Sequence, residues 1–432
     1  MKKKTRFLSI ILALLLFASA LIGCEKSQQP PSETETQTEA ESTVTTSLTV
    51  NGIDLTDYTI VYSTKATSGG KEAADYLNQK LIELYGTELQ IENKRQDRHE
   101  ILIGHDGGDA AIAAAYKENP NGLIGATDKK IVLLGINYSA LCKSIDLFLA
   151  KATADDNDVS ISVTECEFPN IEIDSIKVMS YNILGDLTKP GRPADAREQM
   201  VQTILQNDVD VFGTQEDNPE NKAVFMELLG NYSCYVGVGE KDNGNHIYWK
   251  TDKFNLIKKG YYYLSDTPGS KSKYDDSTQY RTMSYVILEI KETGKQFLFI
   301  DAHLDYRASE ATRVKQINVL ASLIEKINKG DLPVIVLGDF NTLSTKSNGA
   351  VSVFLGNNPD FVMTSKVAEK KGDTGETLIS QEDFMTRYLG AFDYIFVSVD
   401  NICTKYYTVV NNVIDGKYPS DHLPVLAQID IY

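Results

Sequence analysis

The chain has 432 residues, a formal net charge of −17, and 42% hydrophobic against 24% charged residues. That length suggests two or three domains of about 100–200 residues each, and the balance fits an ordinary globular core, which excludes wholesale disorder and a multispanning membrane protein. A pI near 4.8 lacks the basic footprint of a dedicated nucleic-acid binder, although an enzyme that touches a nucleic acid briefly stays open.

Lys2, Lys3, Lys4 and Arg6 precede an almost unbroken apolar run from Phe7 to Ile22. The run is short for a membrane-spanning helix and suits an export signal. It closes with Leu21-Ile22-Gly23-Cys24, which resembles the bacterial lipoprotein processing site. The resemblance implies a signal peptide over 1–23 and a lipid on Cys24. The folded part would then sit outside the cell, anchored on the outer face of the membrane. An uncleaved anchor helix with an incidental cysteine is the weaker alternative. Residues 24–49 read as a disordered tether, because Gln28 to Thr46 is Ser, Thr, Glu, Gln and Pro with almost nothing to bury. Removing 1–23 takes four cations and no acids, which leaves a charge of about −21. Residues 175–432 hold about −7 of it, so the acidity lies mostly in the N-terminal half. An acidic surface steers long polyanions poorly.

From 50 to 170 strand and helix patterns alternate. Tyr58–Tyr62 reads as a strand and Lys71–Tyr85 as a helix, with Ala74, Leu77, Leu81 and Leu84 on one face and Gly86 as its stop. Glu100–Gly104 and Lys130–Gly135 read as strands, Ser139–Ala150 as a helix, and Val159–Val163 as a closing strand. This is a small α/β accessory domain. Gly104-His105-Asp106-Gly107-Gly108 has neither Walker nor dinucleotide spacing, so a tight turn accounts for it and no catalysis is assigned here. Of five cysteines, Cys142, Cys166, Cys234 and Cys403 follow Cys24, and none has metal-type spacing. Export permits a disulfide, Cys142 and Cys166 being nearest in sequence. Small buried hydrophobes are the better reading.

Residues 175–432 hold the chemistry. Apolar strand patterns repeatedly end in a polar residue: Lys177 to Asn182, Val209 to Glu216, Phe297 to His303, and Val334 to Asp339 and Asn341. Ser420-Asp421-His422 precedes a last strand over Leu423–Ile431. Polar groups at strand ends gather at one edge of a sheet sandwich, on rigid supports. Glu216, Asp339, Asp421 and Asn182 are hard oxygen ligands that suit Mg²⁺ or Mn²⁺. His303 and His422 can hydrogen-bond or move protons near neutral pH. A divalent cation with imidazoles and carboxylates is a set for transferring a phosphoryl group to water. The helix over Ser309–Lys329 packs Val314, Ile317, Leu320, Ile324 and Ile327 on one face and needs no further role. Lys370 and Lys371 are too few for a nucleic-acid patch. The 23 tyrosines read first as β-rich packing.

The set SYNIL, GTQE, DAHLD, VLGDFN, FDYIFVS and SDHLP, in that order, resembles the endonuclease/exonuclease/phosphatase superfamily. The resemblance runs from residue 175 to the C-terminus. It implies a four-layer α/β sandwich of two packed mixed sheets, and hydrolysis of a phosphate mono- or diester by in-line water attack. It implies Glu216 as direct metal ligand, with Asn182 and Asp421 on the metal side. Asp339 would align or deprotonate water, and Asn341 would contact the phosphoryl group. His422 matches the essential histidine and Asp393 the carboxylate that orients it. His303 would face the scissile phosphate, with Arg281 on the phosphate side. Asp305 and Arg307 are expected to line the pocket. Some relatives pair the histidine at the His303 position with a glutamate near Asn243. An amide there cannot stabilise an imidazolium, which puts proton donation by His303 in question. A phosphoesterase acting on a small or medium ester is the leading reading. An extracellular nuclease and a non-catalytic binding lipoprotein are the alternatives.

Overall fold

The computed structural model describes residues 47–63, 69–155, 158–186, 188–238, 244–388 and 390–432. The 1–23 segment, Cys24, most of the 24–49 stretch and Asn243 lie outside the described residues. Thr46–Tyr432 forms one compact unit. Among the described residues no helix is long and apolar enough to cross a membrane.

The N-terminal part holds two small sheets. Strands β1 (Ser47–Val50), β2 (Ile53–Asp54), β8 (Ala152–Asp155) and β9 (Asp158–Ile161) pair in the order β2-β1-β9-β8. Strands β3 (Thr59–Tyr62), β4 (Ile91–Glu92), β5 (Glu100–Ile103), β6 (Gly122–Ala126) and β7 (Lys130–Gly135) pair in the order β4-β3-β5-β7-β6. Helices α1 (Gly70–Tyr85), α2 (Ala110–Glu118) and α3 (Tyr138–Ala150) cover the second sheet. The sequence patterns mark α1 and α3 but not α2 or β6. Helix α2 starts on Asp109, whose side chain accepts from Ala111 and Ile112. His105 Nδ1 accepts from Gly107 N at 2.9 Å, so it is a turn residue. The four described cysteines are unpaired.

Two larger mixed sheets follow. One runs β12 (Tyr232–Val236), β13 (Gly244–Lys250), β11 (Val211–Asp217), β10 (Asp174–Asn182), β22 (Val425–Ile431), β21 (Ile402–Val409), β19 (Lys370–Lys371). The other runs β14 (Phe254–Tyr263), β15 (Thr282–Ile290), β16 (Gln296–His303), β17 (Val334–Asp339), β20 (Asp393–Ser398), β18 (Phe361–Met363). Their inner faces make one apolar core of Ile176, Val178, Val211, Phe297, Phe299, Ile335, Leu337 and Ile395. Outside the first sheet, α4 (Ala196–Gln206) and α5 (Pro219–Leu229) pack Met200, Ile204 and Phe225 onto Met179, Phe212 and Tyr248. Outside the second, α6 (Glu310–Ile327) and α7 (Ala350–Asn357) pack Ile317, Leu320, Ile324 and Phe354 onto Ile300, Val336 and Phe396. The result is the four-layer α/β sandwich that the motifs imply.

Register decides where the polar ends fall. Side chains alternate along a strand with period two. On β16 that gives Phe297, Phe299, Asp301 and His303 to the inner face; on β17, Ile335, Leu337 and Asp339. Both inner rows therefore pass from apolar to ionisable at the same end. Gly338 permits the approach of β17 to β16, because its φ is 146° and a Cβ would lie 1.8 Å from the Ala302 oxygen. The N-terminal sheets attach at the other end: Ser139 N donates to Asp400 O at 2.8 Å, in the turn beyond β20. Strand β20 has six residues, and at ~3.3 Å each that places this contact about 20 Å from Asp393.

Candidate active site

Five strand ends converge on one cavity of about 720 Å³. Asp339 is its hub. Its Oδ2 accepts from Asn182 Nδ2 at 3.1 Å and its Oδ1 from the backbone N–H of Asn341 at 2.9 Å. The same Oδ2 lies 3.4 Å from His303 Nε2 and 3.6 Å from His422 Nε2. Burial opposes ionisation of Asp339, but the imidazoles of His422 and His303 hold its carboxyl well below the usual carboxylate range. Asp393 Oδ2 holds His422 Nδ1 at 2.8 Å. Burial disfavours a charged His422, yet Asp393 and Asp339 together push its pKa well above that of an ordinary imidazole.

Glu216 reaches the cavity by a β-bulge. Thr214 pairs with His246 and Asp217 with Gly244, so Gln215 and Glu216 together face Asn245. Simple alternation would put Glu216 on the helix side with Phe212 and Thr214. The inserted residue gives that place to Asp217, whose Oδ2 accepts from Tyr248 and Thr214 and lies 3.0 Å from His246 Nδ1. Glu216 takes a φ of 59° and lines the cavity. His246 is thus a buried structural partner.

Arg281 sets the orientation of the His303 ring. Its Nδ1 lies 2.9 Å from Arg281 Nη1, and a guanidinium can only donate. Nδ1 is therefore the acceptor, and the ring proton sits on Nε2. That nitrogen faces its acceptor, Asp339 Oδ2, at 3.4 Å, beside Asn341 Nδ2, which donates to Leu304 O.

Asp421 closes the metal side. Its Oδ2 accepts from Gln381 Nε2. Burial, with like charge from Glu216 and Asp339, raises the Asp421 carboxyl despite His422 and Gln381. Three carboxylates thus crowd one wall, and a divalent cation is the partner that such a set fits. The sequence places Asn182 in the metal shell as well. The structure turns its Oδ1 to Leu184 N at 3.1 Å and its Nδ2 to Asp339 and Glu216, so it enters as a donor. Asp339, Asp393 and His422 offer ligand atoms within 4.8 Å of one another. Asp393 is already committed to His422, so this trio reads as a hydrogen-bonded chain rather than a metal shell.

Asp305 does not line the cavity. Its buried carboxylate accepts from the backbone N–H groups of Thr278, Gln279, Arg307 and Ala308. Arg281 and Arg307 do line it. Sequence reasoning missed Gln381, Lys189, Tyr280 and Tyr306 on the wall, and Arg192 behind it. These residues sit in loops where no period marks them.

Residues 179–422 match the family described as the Endonuclease/Exonuclease/phosphatase family. The chain belongs to that family. It is a phosphoric ester hydrolase of a family that generally uses a divalent metal. A family protein from Bacteroides thetaiotaomicron is 28% identical with a TM-score of 0.52, the match covering 60% of this chain and 99% of that one. A mannosyl-6-phosphatase from the same organism is 28% identical with a TM-score of 0.50, covering 59% and 99%. A family protein from Bacteroides vulgatus shares the fold at 22% identity, with a TM-score of 0.52 over 60% and 100%. No curated protein matches the chain.

Proposed function

We propose that the chain hydrolyses a small phosphate monoester, of the phosphorylated-sugar class, with Mg²⁺ as its metal. The observation behind this reading is the convergence on Asp339 of Asn182, His303 and His422 beside the Glu216–Asp421 wall. Asp339, kept ionised, orients a water molecule and accepts its proton. His422, kept charged by Asp393, stabilises the negative charge that grows on the phosphoryl oxygens, with Asn341 and Arg281. Glu216 and Asp421 would hold the metal, which when bound polarises the phosphate and screens its charge. A small ester is favoured over a nucleic acid because the catalytic half is net negative, at about −7, and a strand needs a basic groove. Similarity to a mannosyl-6-phosphatase supports the sugar class. The Lys-rich start, apolar run and Gly23-Cys24 support export and a lipid anchor on Cys24. Cys24→Ala should then move the protein from the membrane fraction to the medium.

The deciding assay is hydrolysis by the purified chain from residue 25 on, with Mg²⁺ and with EDTA. The panel holds hexose phosphates, glycerol phosphate, a generic diester, sphingomyelin and plasmid DNA. Metal-dependent release of phosphate from the monoesters with DNA intact supports the reading. DNA nicking that fades steeply with salt replaces it by a nuclease, and activity indifferent to EDTA removes the metal.

A further inference from the structure

The phosphate end of the cavity has more wall than a phosphate needs. Beyond Arg281 stand two half-exposed rings, Tyr280 at 47% and Tyr306 at 50%, both lining the cavity. They come from different segments, one before β15 and one after β16. One buried carboxylate fixes both. Asp305 accepts from Thr278 N at 2.9 Å and Gln279 N at 3.0 Å on the first segment. It accepts from Arg307 N at 3.0 Å and Ala308 N at 3.2 Å on the second. Cations steady the rings as well. Arg307 and Arg281 lie 5.0 and 5.9 Å from the Tyr306 centroid, and Lys271 lies 5.0 Å from that of Tyr280. Large rings held half-exposed at a cavity mouth offer apolar surface to a ligand.

We infer that Tyr280 and Tyr306 form the leaving-group subsite and bind the sugar ring of a phosphorylated sugar. The inference rests on the phosphomonoesterase reading and adds the residues that choose the alcohol. A pyranose offers a C–H face to an aromatic ring and hydroxyls at its edge. Gln279, next to Tyr280, and Asn245 also line the cavity and can hydrogen-bond those hydroxyls. Asp186, which also lines the cavity, can accept from such hydroxyls. Asp305 is a positioning residue here: it sets the two segments, and so the spacing of the rings.

The test compares Tyr280→Ala, Tyr306→Ala and Tyr306→Phe on hexose 6-phosphates and on glycerol phosphate, which has no ring. Stacking of this kind is worth about tenfold in affinity per ring. Each alanine variant should raise KM for the hexose phosphate about tenfold with kcat held, and leave glycerol phosphate within about twofold. Tyr306→Phe should keep wild-type values, because the ring and not its hydroxyl makes the contact. Equal losses on both substrates would mean that the rings only support Arg281, and would overturn the inference. No loss on either substrate overturns it too. A parallel calorimetric titration reads the gain of hexose 6-phosphate over inorganic phosphate in wild type and Tyr306→Ala. Absence of that gain in wild type, or its survival in the variant, also overturns the subsite. A wild-type protein that shows the gain but turns over neither ester overturns the phosphomonoesterase reading and leaves the subsite standing.

Discussion

Replacing Arg192 by methionine should unseat two loops of the site at once. Its buried guanidinium donates to the carbonyl oxygens of Ile183 at 2.7 Å, Leu184 at 2.5 Å, Asp186 at 3.0 Å and Pro419 at 2.7 Å. The first three follow Asn182, and the fourth leads into Ser420-Asp421-His422. Leu184 is held at a φ of 46°, a conformation that costs a leucine about 1–2 kcal/mol. Hydrogen bonds from a charged donor contribute about 1.5–3 kcal/mol each. Against these stand several kcal/mol for burying the guanidinium and about 1 kcal/mol for relaxing Leu184. A net destabilisation of about 3–4 kcal/mol remains. An unfolding entropy of about 2.1 cal/mol/K per residue over the compact unit turns that into a Tm lowered by about 4–5 °C. Activity should fall further than stability, because a shift of about 1 Å in a reacting group costs ~10²-fold in kcat. The assay is thermal unfolding beside steady-state kinetics taken well below Tm. Arg192→Lys, which can reach fewer of the four carbonyls, should fall between. An Arg192→Met protein that loses the Tm but keeps kcat would show that the loops hold themselves, and the reasoning would fail.

His422→Ala should cut kcat by about 10²–10⁴-fold with a near-native unfolding profile; a folded and fully active variant would remove His422 from the chemistry. Glu216→Gln should raise the Mg²⁺ concentration for half-maximal activity by more than tenfold, since losing even a residue that only orients a ligand costs about that much. Saturating Mg²⁺ should raise the wild-type Tm, since it binds the folded state, and should do so less in this variant; equal shifts would place the metal elsewhere. Asp301→Asn should stabilise. Burial pushes the Asp301 carboxyl well above its ordinary 3.8, although Gln215 offsets part of the shift. A raised folded-state value means that the stabilising contribution is whole below about 3.8 and is lost as pH rises toward the folded value. The amide has no such loss, so its Tm advantage over wild type should grow from pH 4 to pH 7. A constant difference across that range would show an ionised Asp301.

Period-two patterning made the sandwich and most of the site legible. Phe297, Phe299 and His303 share a face by alternation, as do Ile335, Leu337 and Asp339, and both rows end in the residues that the motifs single out. What the pattern could not show lies where alternation breaks. Glu216 stands at the right place in the sequence, but only the bulge against Asn245 turns it away from Tyr248. Asp305 looks in sequence like another pocket acid. Nothing local shows that four backbone amides from two loops consume it. Arg192 and Gln381 act on loops distant in sequence, through backbone carbonyls and one carboxylate, and neither leaves a composition signal. His303 shows the limit from the other side. The residue type was read correctly, but its tautomer depends on Arg281, which reaches it from the loop before β15.

The same rows explain why the site is costly in the absence of a cation. An inner face that is apolar at one end and ionisable at the other places Asp301, Asp339 and Asp393 in surroundings that disfavour charge. Asp339 escapes by facing two imidazoles, and Asp393 by holding one. Asp301 escapes by keeping its proton. Glu216 and Asp421 open onto the cavity, and burial, with like charge from Glu216 and Asp339, raises the Asp421 carboxyl despite His422 and Gln381. The protein has distributed its buried cations, His422 and Arg281, toward the phosphate side and left the opposite wall rich in carboxylates. A phosphate dianion would meet the first set, and a divalent metal would fit the second. The asymmetry of charge across one cavity therefore argues for metal and phosphate side by side, with Asp339 between them.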